Sequence, residues 1–418
     1  LWHDRIDPLL VRRGAAIDSL AIALGYGGYT EFAVRLRRTD PERVLPGLFG
    51  FIRATDTMYQ LLGRELATPV TVVPARVAAR RPPSLKSADF RHLPWSDTWD
   101  RYVDAAPVLA REWTSLPAAV DPGRPTPVVQ AIAPHLVMEG RPAVVDDASD
   151  VQAVVVCPNP PVEVKLAVSD VTGMAAARAA LAAAGEARQK NGTAESKPEW
   201  RDAGPELLPA TSAELSMLLT SSPEWYEQRR RDDRASGRDT DVTRLSDLHL
   251  ARLIRWQLWN DLRRIRSEIA GQLVIDLIRH RAGTDYWMPY VFAPAGVDEG
   301  ELIRQIRGFA RGLDLTPAES YDALANRGDF LPGLDAARAV ALAAAVEEHL
   351  RERIGPEWFL DTDLRREAVF ATPDGLAAGS EADIAKALAG TDVIDFSALQ
   401  RRCERLFDWS ERVLEVAR

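Results

Sequence analysis

Between Asp247 and His280, apolar residues recur at three- and four-residue steps: Leu250, Ile254, Leu258, Leu262, Ile265, Ile269, Leu273 and Leu277. Arg252, Arg255, Arg263, Arg266 and Glu268 fall on other faces. That period predicts an amphipathic helix, about 50 Å long at roughly 1.5 Å per residue. Ser246 or Asp247 would cap its start, and Gly283 is placed to end it. A second long helix is predicted from Asp335 to Arg353, rich enough in alanine to pack closely against neighbours. Residues 178–189, Arg-Ala-Ala-Leu-Ala-Ala-Ala-Gly-Glu-Ala-Arg-Gln, form a third strong helical stretch. The period changes over Val151–Val168, which reads as two β-rich runs around a Pro/Asn turn. There Val162, Val164, Leu166 and Val168 alternate with Glu163, Lys165 and Ala167, as in a strand with one buried side. The pattern predicts a mainly α, elongated protein with one small β-sheet near residues 151–170.

Three stretches without such periods read as linkers: Thr68–Pro94, Lys190–Pro209 and Gln228–Thr243. The basic runs at Arg80-Arg81 and Arg229–Arg234 are broken by proline or balanced by acids, and read as solvated loops. At 418 residues the chain can bury one large or two ordinary cores. Its 46% hydrophobic and 27% charged content is that of a soluble globular protein, and no apolar run approaches the roughly 20 residues of a membrane span. A net charge of −9 and a pI near 5.4 argue against a nucleic-acid partner, because phosphate binding needs a basic surface. Two distant cysteines, Cys157 and Cys403, form no disulfide framework, so a cytoplasmic location is expected. The chain enters at Leu1 directly in an amphipathic segment, which leaves room for a missing N-terminal portion, targeting signal included.

Local chemistry is sparse. None of the six histidines pairs with another at i, i+4, the spacing of a helical zinc site. There is no G-x-S-x-G elbow, and Cys157 in its β-rich run reads as a buried, inert thiol. Gly25-Tyr26-Gly27-Gly28 lacks the Lys-Ser/Thr of a phosphate loop and follows a helix, so it reads as a helix-terminating turn. Trp256, Trp259, Trp95 and Trp99 suit a core or the wall of a peptide cleft.

The order of several segments carries more. Ile17–Glu31 contains a helix, then Leu24-Gly25-Tyr26, a short turn and Tyr29; Leu93-Pro94-Trp95-Ser96-Asp97 follows, with Ser96 or Asp97 as a cap. The β-rich Val151–Val168 precedes the alanine-rich helix, and Ala210–Leu219 comes after it. Ala270–His280 fits Ala-Ala-Lys-Leu-x-Tyr-Glu-Leu-x-x-His at Ala270, Leu273, Leu277 and His280, with replacements at Gly271, Gln272, Ile275 and Asp276, ahead of His349–Phe359 and Gly379–Gly390. Taken in order, from about residue 10 to about residue 410, these resemble the thimet oligopeptidase and oligoendopeptidase F family of zinc metallopeptidases.

The resemblance implies a zincin-like helical bowl, with residues 1–100 as its N-terminal helical part and 101–418 as a degenerate metallopeptidase-like domain, or one continuous domain over 1–418. It places residues 178–189 at the zinc helix, where two imidazoles hold the metal and a carboxylate takes the proton of the attacking water. Those three places hold Ala182, Glu186 and, for the base, Ala183. Glu214, or Glu206, stands at the third ligand, and Glu186 with Glu214 form a residual carboxylate pair better suited to a hard cation than to zinc. The family's His/Tyr cluster has no counterpart in Gly333–Ala345, which reads as plain helix. The strand holding Val162, Val164 and Leu166 would line the cleft and receive peptide backbone. The expectation is a catalytically inactive relative without catalytic residues, metal or cofactor, which binds short peptides or a partner protein. The alternatives are a peptidase with a non-standard metal site and a purely structural helical scaffold.

Overall fold

The computed structural model describes residues 7–37, 41–67, 143–144, 153–159, 163–168, 174–191, 207–235, 237, 246–271, 273, 332–360 and 381–416. In chain order these form α1 (Asp7–Ala23), α2 (Tyr29–Arg37), α3 (Pro41–Ala54), α4 (Asp56–Ala67), β1 (Ala143–Val144), β2 (Ala153–Asn159) and β3 (Glu163–Val168). There follow α5 (Met174–Asn191), α6 (Leu207–Leu218), α7 (Pro223–Ala235), α8 (Asp247–Arg264), α9 (Pro332–Arg353), α10 (Glu381–Ala389) and α11 (Ser397–Val416). The fold is mainly α, as the apolar spacing predicts. Pro41, Pro223 and Pro332 each open a helix, where a missing N–H costs nothing. The segments around Trp95 and the boundary expected near residue 100 lie outside the described residues.

By compactness the chain divides into two units, residues 1–59, 260–338 and 395–397, and residues 60–259, 339–394 and 398–418. In the first unit α1 ends as its glycine predicts. Gly25 sits at φ 91°, Tyr26 N–H reaches Ala21 O at 3.0 Å and Gly25 N–H reaches Ile22 O at 3.0 Å. This is the paired closure of a Schellman motif. Asp18 Oδ1 then accepts from Tyr29 N–H at 2.9 Å, tying the start of α2 to α1. From α3, Leu45, Leu48, Phe49, Phe51 and Ile52 are buried. A π-helical turn, Ile265–Gly271, continues α8 and packs on α3. Its Arg266 is buried, bonds Ile52 O at 2.6 Å and Asp56 Oδ1 at 3.0 Å, and lies 4.5 Å from the Tyr59 ring centroid. One guanidinium thereby joins the Thr55 hydroxyl, 3.4 Å away, at a carbonyl in the last turn of α3.

In the second unit α8 starts as predicted: Ser246 Oγ accepts from His249 N–H at 3.2 Å. Leu250, Leu253, Ile254, Trp256, Leu258 and Trp259 are buried, so this stretch is enclosed nearly all round, and the two tryptophans belong to the core. Arg255, expected on a polar face, is buried too, and grips Glu65 at 2.7 and 2.9 Å along with Glu411. Helix α9 buries Ala339, Ala341, Ala343 and Ala344, the close packing its composition predicts. Helix α11 buries Leu399, Cys403, Leu406 and Ser410 along one stripe.

Two expectations are corrected. Gln228–Ala235, read as the start of a linker and its basic run as a solvated loop, is the second half of α7. Its few apolar residues concealed the helix, which is held by charges one turn apart: Glu227 with Arg230 at 2.7 Å and Arg229 with Asp233 at 3.9 Å. The sheet has the order β1-β3-β2. The strand expected to offer a free edge is therefore the middle one, antiparallel to β2 and parallel to β1 at Lys165 and Leu166. Strand alternation fixes which face is apolar but is silent on neighbours.

Candidate functional site

Helix α5 packs on strands β2 and β3 and on α6. Its approach to α6 is set by Gly185: a Cβ there would lie 2.2 Å from Ser212 O and 2.4 Å from Ser216 Oγ. Ala183, Ala184 and Ala187 are buried around this contact, whereas Ala182 and Glu186 share a half-buried face one turn apart. The two positions that the resemblance would assign to imidazole ligands thus stand together, and the one it would assign to the base points into packing. Glu214 is buried on α6, and Glu186 and Glu214 each make a polar contact within the fold. Glu206 lies outside the described residues, as do Val162 and the side chains of Val164 and Leu166. Among the described residues no three His, Cys, Asp or Glu side chains converge as metal ligands would.

The second unit carries a polar interior that sequence reasoning missed. Arg402 of α11 donates to Glu347 Oε2 at 2.5 Å, to Leu218 O at 2.9 Å and to Ser221 Oγ at 2.8 Å, all buried. Arg405 reaches the other Glu347 oxygen at 3.1 Å, and burial pushes its pKa below the ordinary arginine value. Arg351 bonds Glu224 at 2.6 Å, and Ser222 Oγ donates to the same carboxylate at 2.8 Å. Burial works to raise the Glu224 pKa, but the hydrogen bond and charge of Arg351, with Ser222, outweigh it and hold the group below the usual carboxylate value. Nearby, Tyr226 donates to Thr220 O at 3.0 Å, and burial pushes its phenol well above the ordinary range. Arg178 of α5 joins Thr220 Oγ1 at 3.1 Å and Gln257 Oε1 at 2.9 Å.

Above this interior opens a groove of about 850 Å³. Helix α11 lines it with Trp409, Arg412, Val413 and Val416; α7 contributes Pro223, Glu224, Glu227 and Arg231, the first turn of α8 contributes Asp247 and the apolar Leu248, and Glu357 completes the lining. On the rim, Glu227 and Asp247 converge on one nitrogen of Arg230, at 2.7 and 2.8 Å, and Glu357 pairs with Arg231. Apolar side chains flanked by a few fixed charges can bury a ligand's hydrocarbon and orient its polar groups. The available signal was the spacing of Trp409, Val413 and Val416 at i, i+4, i+7, which marks a stripe on α11 beside the one that enters the core.

Comparison with family models, with curated proteins and with solved structures finds no match to this chain. Among the described residues no helix is long and apolar enough to cross a membrane.

Proposed function

We propose that this chain is a non-catalytic binding protein of oligopeptidase-like organisation that holds a peptide or a segment of a partner protein. The groove beside α11 carries this reading, since it offers a tryptophan and aliphatic side chains to a ligand between charged rims. The sequence supports it from the other side: at the positions resembling the zinc helix, Ala182 and Ala183 have no lone pair to give to a metal or a water proton. The half-buried face shared by Ala182 and Glu186 then serves packing and solvent contact.

Two measurements on the full chain test the proposal. Metal analysis of the purified protein should find no stoichiometric zinc, and a mixed pool of short fluorogenic peptides should remain uncleaved while some members quench or shift Trp409 fluorescence. One zinc per chain, lost when Glu186 and Glu214 are changed to Ala, together with peptide turnover, would replace the proposal with a peptidase built on a non-standard metal site. Absence of any peptide or partner binding would leave a helical scaffold.

A further inference from the structure

We propose that the outward face of α1 is a homodimer interface, closed in solution by the same face of a second copy of the chain. Helix α1 is apolar on two sides. Ala21 is buried and Ile17 half-buried on the side that carries Asp18, the acceptor of Tyr29 N–H. On the other side Ala16, Leu20, Ala23 and, at the closing turn, Leu24 recur at i, i+4, i+7 and i+8 within a sector of about 100°. All four are exposed, the two leucines at 57% and 58%. A helix apolar all round belongs in an interior, so this stripe is a packing surface that one copy leaves open. Of the seven large apolar side chains exposed among the described residues, Leu20, Ile22, Leu24 and Leu36 all lie on α1, its closing turn and α2. Exposed apolar surface is therefore concentrated on this pair of helices, the mark of an interaction site.

The stripe is complementary to itself. A second α1 laid antiparallel, with a two-fold axis passing near residue 18, sets Leu20 of each copy over Ala16 of the other, a large side chain against a small one. The ends match as well. Arg12 and Arg13, both exposed, stand one turn before Ala16. The opposite end is the C-terminus of α1, the negative end of the helix dipole, where Glu31 is held beside Gly27 by accepting its N–H at 2.8 Å. The two-fold carries each pair of arginines to the other copy's acidic end. Glu31 keeps room for them, since its neighbour on α2, Arg35, is 4.0 Å away and 73% exposed at its side chain. A parallel pairing would instead set arginines against arginines. From Arg12 to Leu24 the seam runs roughly 18 Å at about 1.5 Å per residue. A single helix pair covers less than the roughly 800 Å² per partner of a standard interface, so the dimer should be weak, with a Kd on the order of 10 μM.

The test is sedimentation of the full chain at concentrations spanning about tenfold to either side of that Kd. A reversible monomer–dimer equilibrium is expected, loosening as salt rises. Leu20→Arg should weaken it by at least tenfold while the unfolding midpoint of the dilute chain stays unchanged, because position 20 is open in the monomer. Exchange of charge tests the geometry. A chain with Arg12→Glu and Arg13→Glu, and a chain with Glu31→Lys, should each self-associate about tenfold more weakly, and an equal mixture of the two should pair about as tightly as the parent. A mixture that pairs no better than either variant alone overturns the antiparallel seam. A dimer indifferent to Leu20→Arg overturns the α1 face as its interface. A chain monomeric at every concentration overturns the proposal outright, and Leu20→Arg lowering the midpoint of that monomer would show the face to be covered by the chain itself.

Discussion

Arg402 binds three buried acceptors: a Glu347 oxygen, the Ser221 hydroxyl and the Leu218 carbonyl at the end of α6, to which Ser221 Oγ also donates at 3.2 Å. Arg405 and Arg351 still reach Glu347, at 3.1 and 3.8 Å, so Arg402→Ala leaves the carboxylate partly compensated and should cost about 1–3 kcal/mol in urea unfolding, through the lost buried hydrogen bonds. Arg402→Lys should recover little, because an ammonium on a flexible stem cannot span acceptors arranged for a guanidinium fork. Changing Arg402 to Met and Glu347 to Leu together also takes the shared carboxylate from Arg405 and Arg351, so the double variant should cost more than Arg402→Ala, and one that costs less would show the whole cluster to be destabilising. Glu224 gives a prediction in pH. Its folded pKa lies below the unfolded value, so its contribution is present in full above the ordinary carboxylate range and is lost as pH falls through the depressed value. The stability gap between the native chain and Glu224→Gln should therefore close on acidification; a gap constant from neutral pH to below the carboxylate range would refute it. None of this was legible beforehand. Arginine is usually exposed, and the sequence of Arg402, Arg351 or Arg255 holds no sign that a carboxylate distant in the chain will meet it.

Helices were the readable level, and glycine positions within them show why reading has a limit. Gly50 in α3 and Gly185 in α5 look alike in sequence, yet a Cβ on Gly50 meets nothing within 4 Å while one on Gly185 strikes the Ser212 carbonyl. Gly50→Ala should stabilise by roughly 0.5–1 kcal/mol through helix propensity. Gly185→Ala gains the same intrinsic amount but must push α5 from α6, so it should be net destabilising by about 1–3 kcal/mol. Thermal unfolding of the two variants reads the sign directly, and a stabilised Gly185→Ala would mean that the two helices are not in this contact. The zinc-helix resemblance belongs to this scale too. Ala182→His with Glu186→His places imidazoles one turn apart on a half-buried face and should bind Zn²⁺ measurably more tightly than the parent. Adding Ala183→Glu should lower stability, because position 183 is buried and a carboxylate there would be desolvated. A double variant that titrates like the parent would dissociate α5 from any zinc-helix ancestry. Periodicity thus found α5, α8, α9 and the sheet, but missed α7, whose stability comes from charge pairs, and misjudged β3, whose neighbours lie in other segments.

At the scale of the molecule, each unit gathers pieces that are far apart in sequence, and this was the least legible feature. A linear pass looks for boundaries in loops, whereas here the chain passes between units inside α4, α8 and α9, at residues 59–60, 259–260 and 338–339. No linker composition marks such a crossing. The last segment contributes to both units by separate contacts. Phe396 belongs to the first, with its ring centroid 6.0 Å from that of Phe51 and its edge against Gly47. Helix α11 belongs to the second, where Arg401 and Arg402 bond Glu348 and Glu347 and Glu411 pairs with Arg255. Phe396→Ala should cost roughly 3–5 kcal/mol by leaving a cavity in the first unit, and Arg402→Ala acts in the second. Hydrogen exchange should then lose protection in α3 and the π-helical turn for the phenylalanine variant, and in α6 and α9 for the arginine variant. A chain stopped after Ile394 removes both sets of contacts at once, uncovering Glu347, Arg255 and the Phe51 pocket together. It should lose protection in all of those elements and unfold without a sharp transition. A shortened chain that still unfolds cooperatively, with α6 and α9 protected as before, would show that the final helix is an appendage of the second unit and not a part of its core.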